Sequence, residues 1–268
     1  MQNVYDTVIF DLDGTLLNTL EDLKNSVNHA LSAFGYPTRT LEDIRLAVGN
    51  GARTLLSRSV PESVDENGLE QVYSCFRAHY GAHCNDLTAP YDGILPMLDT
   101  LKSRGFQLAI VSNKPDAAVK KLCSLYFSEW VSVSIGEREN VRRKPSPDSV
   151  YAALRELAGS GSSHPAAPCA DPASAVRADL DSGVRADLDS GVRADNGICS
   201  DKPSHRTALY VGDSDVDIAT AAAADMDCVS VAWGFRDEAF LREHGACRII
   251  HSPSELPEML GFPLFGGK

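Results

Sequence analysis

Two aspartates, Asp11 and Asp13, follow the short apolar run Val8-Ile9-Phe10 and lead into Gly14-Thr15. An apolar run of this length that stops at a turn reads as a buried strand, and open α/β sheets bind ligands beyond the carboxyl ends of such strands. At i and i+2 on an extended chain, the two side chains can point the same way. Carboxylates held at one site repel, so a divalent cation, a shared proton or both must accompany them. Gly14 permits a tight turn and Thr15 adds a hydroxyl. Taken alone, such a pair of acids also describes a solvated turn.

Three further groups of residues point to phosphoryl chemistry. Val111-Ser112-Asn113-Lys114 places a hydroxyl and backbone N–H groups at the end of a second apolar run, suited to phosphoryl oxygens. Arg142-Arg143-Lys144-Pro145 is a cationic cluster ahead of a helix, able to balance charge on a transferring phosphoryl group. Gly212-Asp213-Ser214-Asp215-Val216-Asp217 ends a third run with more acids, and Asp213 can complete a hard oxygen site for magnesium.

The elements that must hold these residues alternate along the chain. From Asp92, helices are expected over 95–104, 115–125, 146–157 (Ser146 as cap, Pro147 first in the helix), 216–224 and 238–243. Strands are expected over 106–111, 131–135, 208–211, 228–233 and 248–250. Such alternation implies a doubly wound parallel sheet, an α/β fold with helices on both faces. Between the first strand and this series, Leu20, Leu23, Val27, Leu31 and Phe34 recur at helical spacing. Thr40 reads as a helix cap, and Leu55, Leu56, Leu69, Val72, Tyr73, Phe76 and Tyr80 mark further helices. The expected organisation is an α/β core of residues 1–17 and 89–268, with a small helical cap of residues 18–88 inserted after the first strand. Residues 159–205 contain three copies of an octapeptide between Ser174 and Gly197 (SAVRADLD, SGVRADLD, SGVRADNG). Eight residues match no helical period and leave little to bury, so this stretch reads as a disordered surface loop within the core.

The bulk numbers narrow the function classes. A net charge of -12 argues against nucleic-acid and anionic-membrane partners. An anionic substrate must therefore be drawn in by a local positive site. No secretory leader or membrane span is apparent, and seven cysteines without a CxxC pair suit reduced thiols, so a cytoplasmic protein is expected. His79 and His83, four apart, have a zinc-compatible spacing but no third ligand, and read as ordinary helix residues. Nothing in the composition or motifs fixes an oligomeric state.

In this order and at these strand ends, the four elements resemble the haloacid dehalogenase-like hydrolase superfamily, whose signature is DxDG[TV], a Ser or Thr after an apolar strand, a Lys, then GDxxxD. The resemblance covers residues 1–158 and 206–268. It implies that Asp11 attacks phosphorus to form an aspartyl-phosphate, and that Asp13 protonates the leaving oxygen and then activates water. It implies a Mg2+ held by the Asp11 carboxylate, the Asp13 backbone carbonyl and Asp213, with Ser112 on a phosphoryl oxygen and Lys144 neutralising charge. Asp217 is expected to orient Lys144 or metal-bound water, and Asp215 to be solvated. The second acid at position 13, absent from the dehalogenases, favours phosphate ester hydrolysis or phosphotransfer.

Ala47-Val48-Gly49-Asn50-Gly51-Ala52 resembles the cap loop of phosphoglycolate phosphatases, and Val231 to Arg236 and His251 to Leu256 resemble bacterial members of that branch. The expected substrate is a small phosphorylated metabolite, first 2-phosphoglycolate, contacted by Thr15, Gly49, Asn50, Gly51, Arg53 and Asn113. Arg53 suits either a substrate carboxylate or a solvated helix face. Pyrophosphate, nucleotides and sugar phosphates are the alternatives for the same architecture, with a phosphosugar mutase or a non-catalytic regulator more remote.

Overall fold

A computed structural model describes residues 5–160 and 207–262; the octapeptide repeats lie outside them. Its centre is strand β1 (Thr7–Phe10), buried along its whole length. On one side it pairs with β4 (Gln107–Pro115), which pairs with β5 (Val133–Glu137). On the other side lie β6 (Ala208–Gly212), β7 (Asp227–Val231) and β8 (Ile249–Ile250). All five pairings are parallel, giving the order β5-β4-β1-β6-β7-β8. The chain builds outward from β1 through β4 to β5, then returns to place β6 against the other side of β1. The strand order reverses there, and this reversal opens the crevice in which open α/β sheets bind ligands.

Two apolar clusters sandwich the sheet. Val8, Phe10, Leu108, Ile110 and Val211 face one way, packing beneath helices α5 (Ile94–Ser103) and α6 (Asp116–Tyr126). Ile9, Ala109, Val111 and Tyr210 face the other, against α7 (Asp148–Ser160) and α8 (Asp215–Ala223). Helix α9 (Glu238–Glu243) precedes β8, and α10 (Glu255–Met259) follows it. Alternate residues of each central strand thus bury on opposite faces, which is why these strands read as continuous apolar runs.

Between β2 (Leu17–Asn18) and β3 (Ala89–Pro90) stands a block of helices: α1 (Leu20–Ala33), α2 (Leu41–Ala47), α3 (Ala52–Ser57) and α4 (Glu66–His83). It has its own core of Leu23, Val27, Leu31, Ile44, Leu55, Val72 and Phe76. Thr40 caps α2 through a reciprocal pair with Asp43. The short antiparallel pair β2–β3 ties the ends of the block together; at two residues a strand, it carries no periodicity that a sequence could reveal. Buried Asp22 reinforces the junction, accepting hydrogen bonds from the backbone N–H groups of Leu87 and Thr88 and from the Thr88 hydroxyl.

Several boundaries differ from those expected. Strand β4 runs on to Pro115 with a register shift after Val111, so Ser112, Asn113 and Lys114 sit in a bulge and not a loop. Strand β5 starts at Val133, because the N–H groups of Trp130 and Val131 bond back to the carbonyl of Phe127. Helix α7 starts at Asp148, with Pro147 before it; the Ser146 hydroxyl donates to the Asp148 carboxylate. Phe34 follows the end of α1 and is exposed. The five cysteines among the described residues are free thiols. No helix among the described residues is long and apolar enough to cross a membrane.

Candidate active site

Parallel pairing brings the ends of β4, β1 and β6 side by side. The register Phe10↔Ile110 and Phe10↔Val211 sets Asp11 level with the start of the β4 bulge and with Gly212-Asp213. The Asp11 N–H extends the ladder by donating to the Val211 carbonyl at 2.9 Å. Lys144 reaches the same point from the segment between β5 and α7. Its backbone is fixed by Asn113: the Lys144 N–H donates to Asn113 Oδ1 at 2.8 Å, and Asn113 Nδ2 donates to the Lys144 carbonyl at 3.0 Å.

Carboxylates Asp11, Asp213 and Asp217 cluster here, with one oxygen of each within 4.8 Å of the others, and all three residues are buried. Lys144 Nζ lies 2.8 Å from Asp11 Oδ1 and 2.7 Å from Asp217 Oδ1. Burial alone would lower the Lys144 ammonium, but Asp11 and Asp217 outweigh it and hold it well above its ordinary value. Burial, then repulsion from Asp217, raises Asp11 to about 7, with Lys144 pulling the other way. Asp213 is raised for the same reasons, burial first and then Asp217 and Asp11. Three acids against one lysine leave an excess of negative charge that burial makes costly.

The three acids differ in what they have left to offer. Asp217 is fully engaged: Oδ1 accepts from Lys144 and Tyr210, and Oδ2 accepts from the Ser214 N–H and hydroxyl. It positions Lys144. Asp213 Oδ2 accepts from the Phe235 N–H at 2.7 Å, while the Thr15 hydroxyl stands 3.5 Å from Oδ1. Asp11 Oδ1 is buried with no aligned hydrogen bond; its 2.8 Å approach to Lys144 lacks hydrogen-bond alignment. Glycines wall Asp213 in. A Cβ on Gly14 would stand 2.3 Å from Asp213 Oδ2, and one on Gly234 would stand 2.3 Å from the Asp213 Cβ.

Above these groups the helical block closes a small cavity of about 60 Å³, lined by Asp11, Asp13, Ser112, Asn113, Lys114, Lys144 and Asp213 below. Leu23, Val48, Gly49, Gly51, Leu55, Phe76 and Tyr80 line it from above. Gly49 brings backbone to the core, its carbonyl 3.4 Å from Asn113 Nδ2. A space of this size suits a small molecule.

Not every residue singled out in the sequence arrives here. Arg53 turns outward to pair with Glu66 and Glu70 on the surface of the helical block. Asn50 lines a separate depression with Arg45, Arg58 and Asp215. The Arg142-Arg143-Lys144 cluster disperses: Arg142 pairs with Asp148, Arg143 with Glu137, and only Lys144 is buried. His79 stacks on both His83 and His29, with ring centroids 4.3 and 4.0 Å away. They belong to no metal cluster among the described residues.

Three groups went unnoticed in the sequence. Lys114 Nζ donates to Asp13 Oδ1 at 2.6 Å, the oxygen that also accepts from Thr19 at 2.7 Å. Phe235 inserts its ring into the core of the helical block. Its neighbour Arg236 donates to the carbonyls of Arg45, Leu46 and Val48, and Arg45 donates in return to the Phe235 carbonyl. The position of Lys114 beside Ser112-Asn113 was the available signal for the first. The other two lie in the segment Val231 to Arg236, marked by its resemblance to phosphoglycolate phosphatases but with no role given to either residue.

Comparison with known proteins places this arrangement. Residues 8–164 match the family described as haloacid dehalogenase-like hydrolase. Phosphoglycolate phosphatase 1 of Pseudomonas aeruginosa is 27% identical over 259 residues, spanning 93% of this chain and 77% of that protein. A Haemophilus influenzae phosphoglycolate phosphatase is 32% identical over 159 residues, spanning 56% of this chain and 71% of its own length. A crystal structure from Lactobacillus delbrueckii subsp. bulgaricus, provisionally assigned as a phosphoglycolate phosphatase, superposes with a TM-score of 0.73 at 29% identity. That superposition covers 96% of this chain and 98% of the other.

Proposed function

The chain belongs to the haloacid dehalogenase-like hydrolases, and from that premise we propose that it is a magnesium-dependent phosphatase of 2-phosphoglycolate working through an aspartyl-phosphate. The observation that carries the reading is the buried Asp11 carboxylate on the floor of a small cavity, beside Ser112 and Asp13 and with its Oδ1 2.8 Å from the Lys144 ammonium. A carboxylate in that position can serve as a nucleophile, with a cation beside it to balance the charge of a phosphoryl group. The relatives named phosphoglycolate phosphatase support the choice of ester.

The residues present suit a divalent cation. Asp11 and Asp213 keep oxygens that are not taken up by strong hydrogen bonds, and the surplus of negative charge calls for a hard cation. Asp11, Asp213 and the Asp13 backbone carbonyl would hold it, where it would supply counter-charge to the phosphoryl oxygens. Asp217 does not compete, since its oxygens are already bonded.

In the first half-reaction an Asp11 oxygen attacks phosphorus as the bond to the leaving oxygen breaks, and Asp13 gives that oxygen its proton. In the second, water attacks the phosphorus of the aspartyl-phosphate, Asp13 takes the water's proton, and the Asp11–phosphorus bond breaks to free phosphate. Ser112 and Lys144 hold the phosphoryl oxygens throughout, where positioning and counter-charge matter more than covalent assistance. The helices between β2 and β3 serve as a cap that excludes water.

The test is phosphate release from 2-phosphoglycolate, pyrophosphate, nucleoside monophosphates and sugar phosphates, with magnesium and with chelator. Magnesium-dependent turnover strongest on 2-phosphoglycolate is the expected result. Equal turnover across the panel would remove the substrate from the reading, and turnover unaffected by chelator would remove the metal.

A further inference from the structure

Three cationic side chains line the cavity: Lys114, Lys144 and Arg236. Two are committed. Lys144 serves Asp11 and Asp217, and Arg236 is spread over three carbonyls of the helical block. Lys114 differs. It is only 3% exposed, meets a single carboxylate, Asp13, and sits 4.8 Å from the centre of the Tyr80 ring.

Tyr80 makes the second half of the arrangement. It enters from α4, is 3% exposed, and its buried hydroxyl has Lys114 as its polar neighbour but makes no aligned hydrogen bond. A buried hydroxyl without an aligned bond costs stability until a ligand or a water completes it. Burial holds this phenol above its ordinary pKa, so it keeps its proton and can donate. A cation with one carboxylate partner and an unused O–H, both lining a cavity of about 60 Å³, describe a seat for a small anion.

Resting on the phosphatase reading, we propose that Lys114 and Tyr80 form the subsite for the second anionic group of the substrate, a carboxylate at the end remote from the phosphoryl group. Such a carboxylate accepts from Lys114 Nζ and from the Tyr80 hydroxyl. It also competes with Asp13 for Lys114, and so loosens the acid that must serve the leaving oxygen. A substrate with a neutral tail leaves Lys114 on Asp13. Selectivity and release of the acid then come from the same contact.

The experiment compares kcat/KM for 2-phosphoglycolate and for 2-hydroxyethyl phosphate, which replaces the carboxylate by a neutral alcohol at nearly the same length. The wild type should prefer the former by about 100-fold, because a buried donor pair rejects a tail that cannot satisfy it. Lys114→Met should bring that ratio down to about threefold or less, and Tyr80→Phe should lower it about fivefold. Thermal melting accompanies both. Tyr80→Phe removes one oxygen that makes no aligned hydrogen bond and leaves the ring packed, so it tests the subsite even where Lys114→Met does not fold. A ratio unchanged in both variants overturns the subsite. So does an equal loss on both esters in Lys114→Met, which would make Lys114 a positioning residue for Asp13 alone. Absence of magnesium-dependent turnover on either ester by the wild type would instead bring down the phosphatase reading beneath it.

Discussion

Below the cavity, strand ends supply charged groups whose partners are specific: Asp217 holds Lys144, Asn113 holds its backbone, and Phe235 N–H holds Asp213. Above it, helices supply Leu23, Val48, Leu55 and Phe76, which pack among themselves, with the Tyr80 hydroxyl as their polar side-chain group. The floor spends stability on burying like charges, while the roof gains stability from apolar contact. A mutation below should therefore damage turnover more than folding, and a mutation above should do the reverse.

Asp11→Asn is the sharpest test of that division. Turnover should fall by at least about 10⁴-fold, as for other deleted nucleophiles, with the melting temperature unchanged or higher because one buried charge is gone. A variant that unfolds would break the comparison. From the other side, Phe76→Ala should cost about 3–5 kcal/mol of stability, read by denaturant unfolding, since its ring is 1% exposed. Gly14→Ala should cost roughly 10² in kcat, because the added Cβ meets Asp213 at 2.3 Å from a backbone at φ 84°. Its unfolding should be affected less than its turnover.

The smallest expected effect lies outside both regions. The Arg142 guanidinium beside Asp148, opposed by burial and aided by Ser146, holds that carboxyl down at about 2. A depressed acid stabilises the fold above its unfolded pKa of 3.8, and that contribution is lost as pH falls toward about 2. Because Arg142 is 78% exposed, solvent screening limits the pair to under about 1 kcal/mol. Asp148→Asn should thus lower the melting temperature slightly at pH 7 and by less at pH 2, where the folded carboxyl is half protonated.

The same division explains what could be read from the chain. Val8-Ile9-Phe10 and Ala208-Leu209-Tyr210-Val211 are legible as buried strands because both faces of a parallel sheet are covered. Once those strands are adjacent, Asp11, Ser112 and Asp213 must meet, since Asp11 and Asp213 follow their strands directly and Ser112 opens the β4 bulge. Partner choice was not legible in the same way. Arg53 and Lys114 are each a basic residue beside a motif; only packing sends one to Glu66 on the surface and the other to buried Asp13. The β2–β3 pair and the Arg45–Arg236 contacts join residues distant in sequence through backbone groups, and backbone groups leave no mark on composition.

Helix α7 begins beside Lys144 and runs away from the cavity, and β6 begins at the opposite end of the strand that delivers Asp213. Residues 161–206, with their tandem octapeptides, therefore join the described chain at the close of α7 and the start of β6, at the pole of the sheet away from the catalytic groups. That pole is the place to graft a tag, reporter or second domain without moving a catalytic side chain.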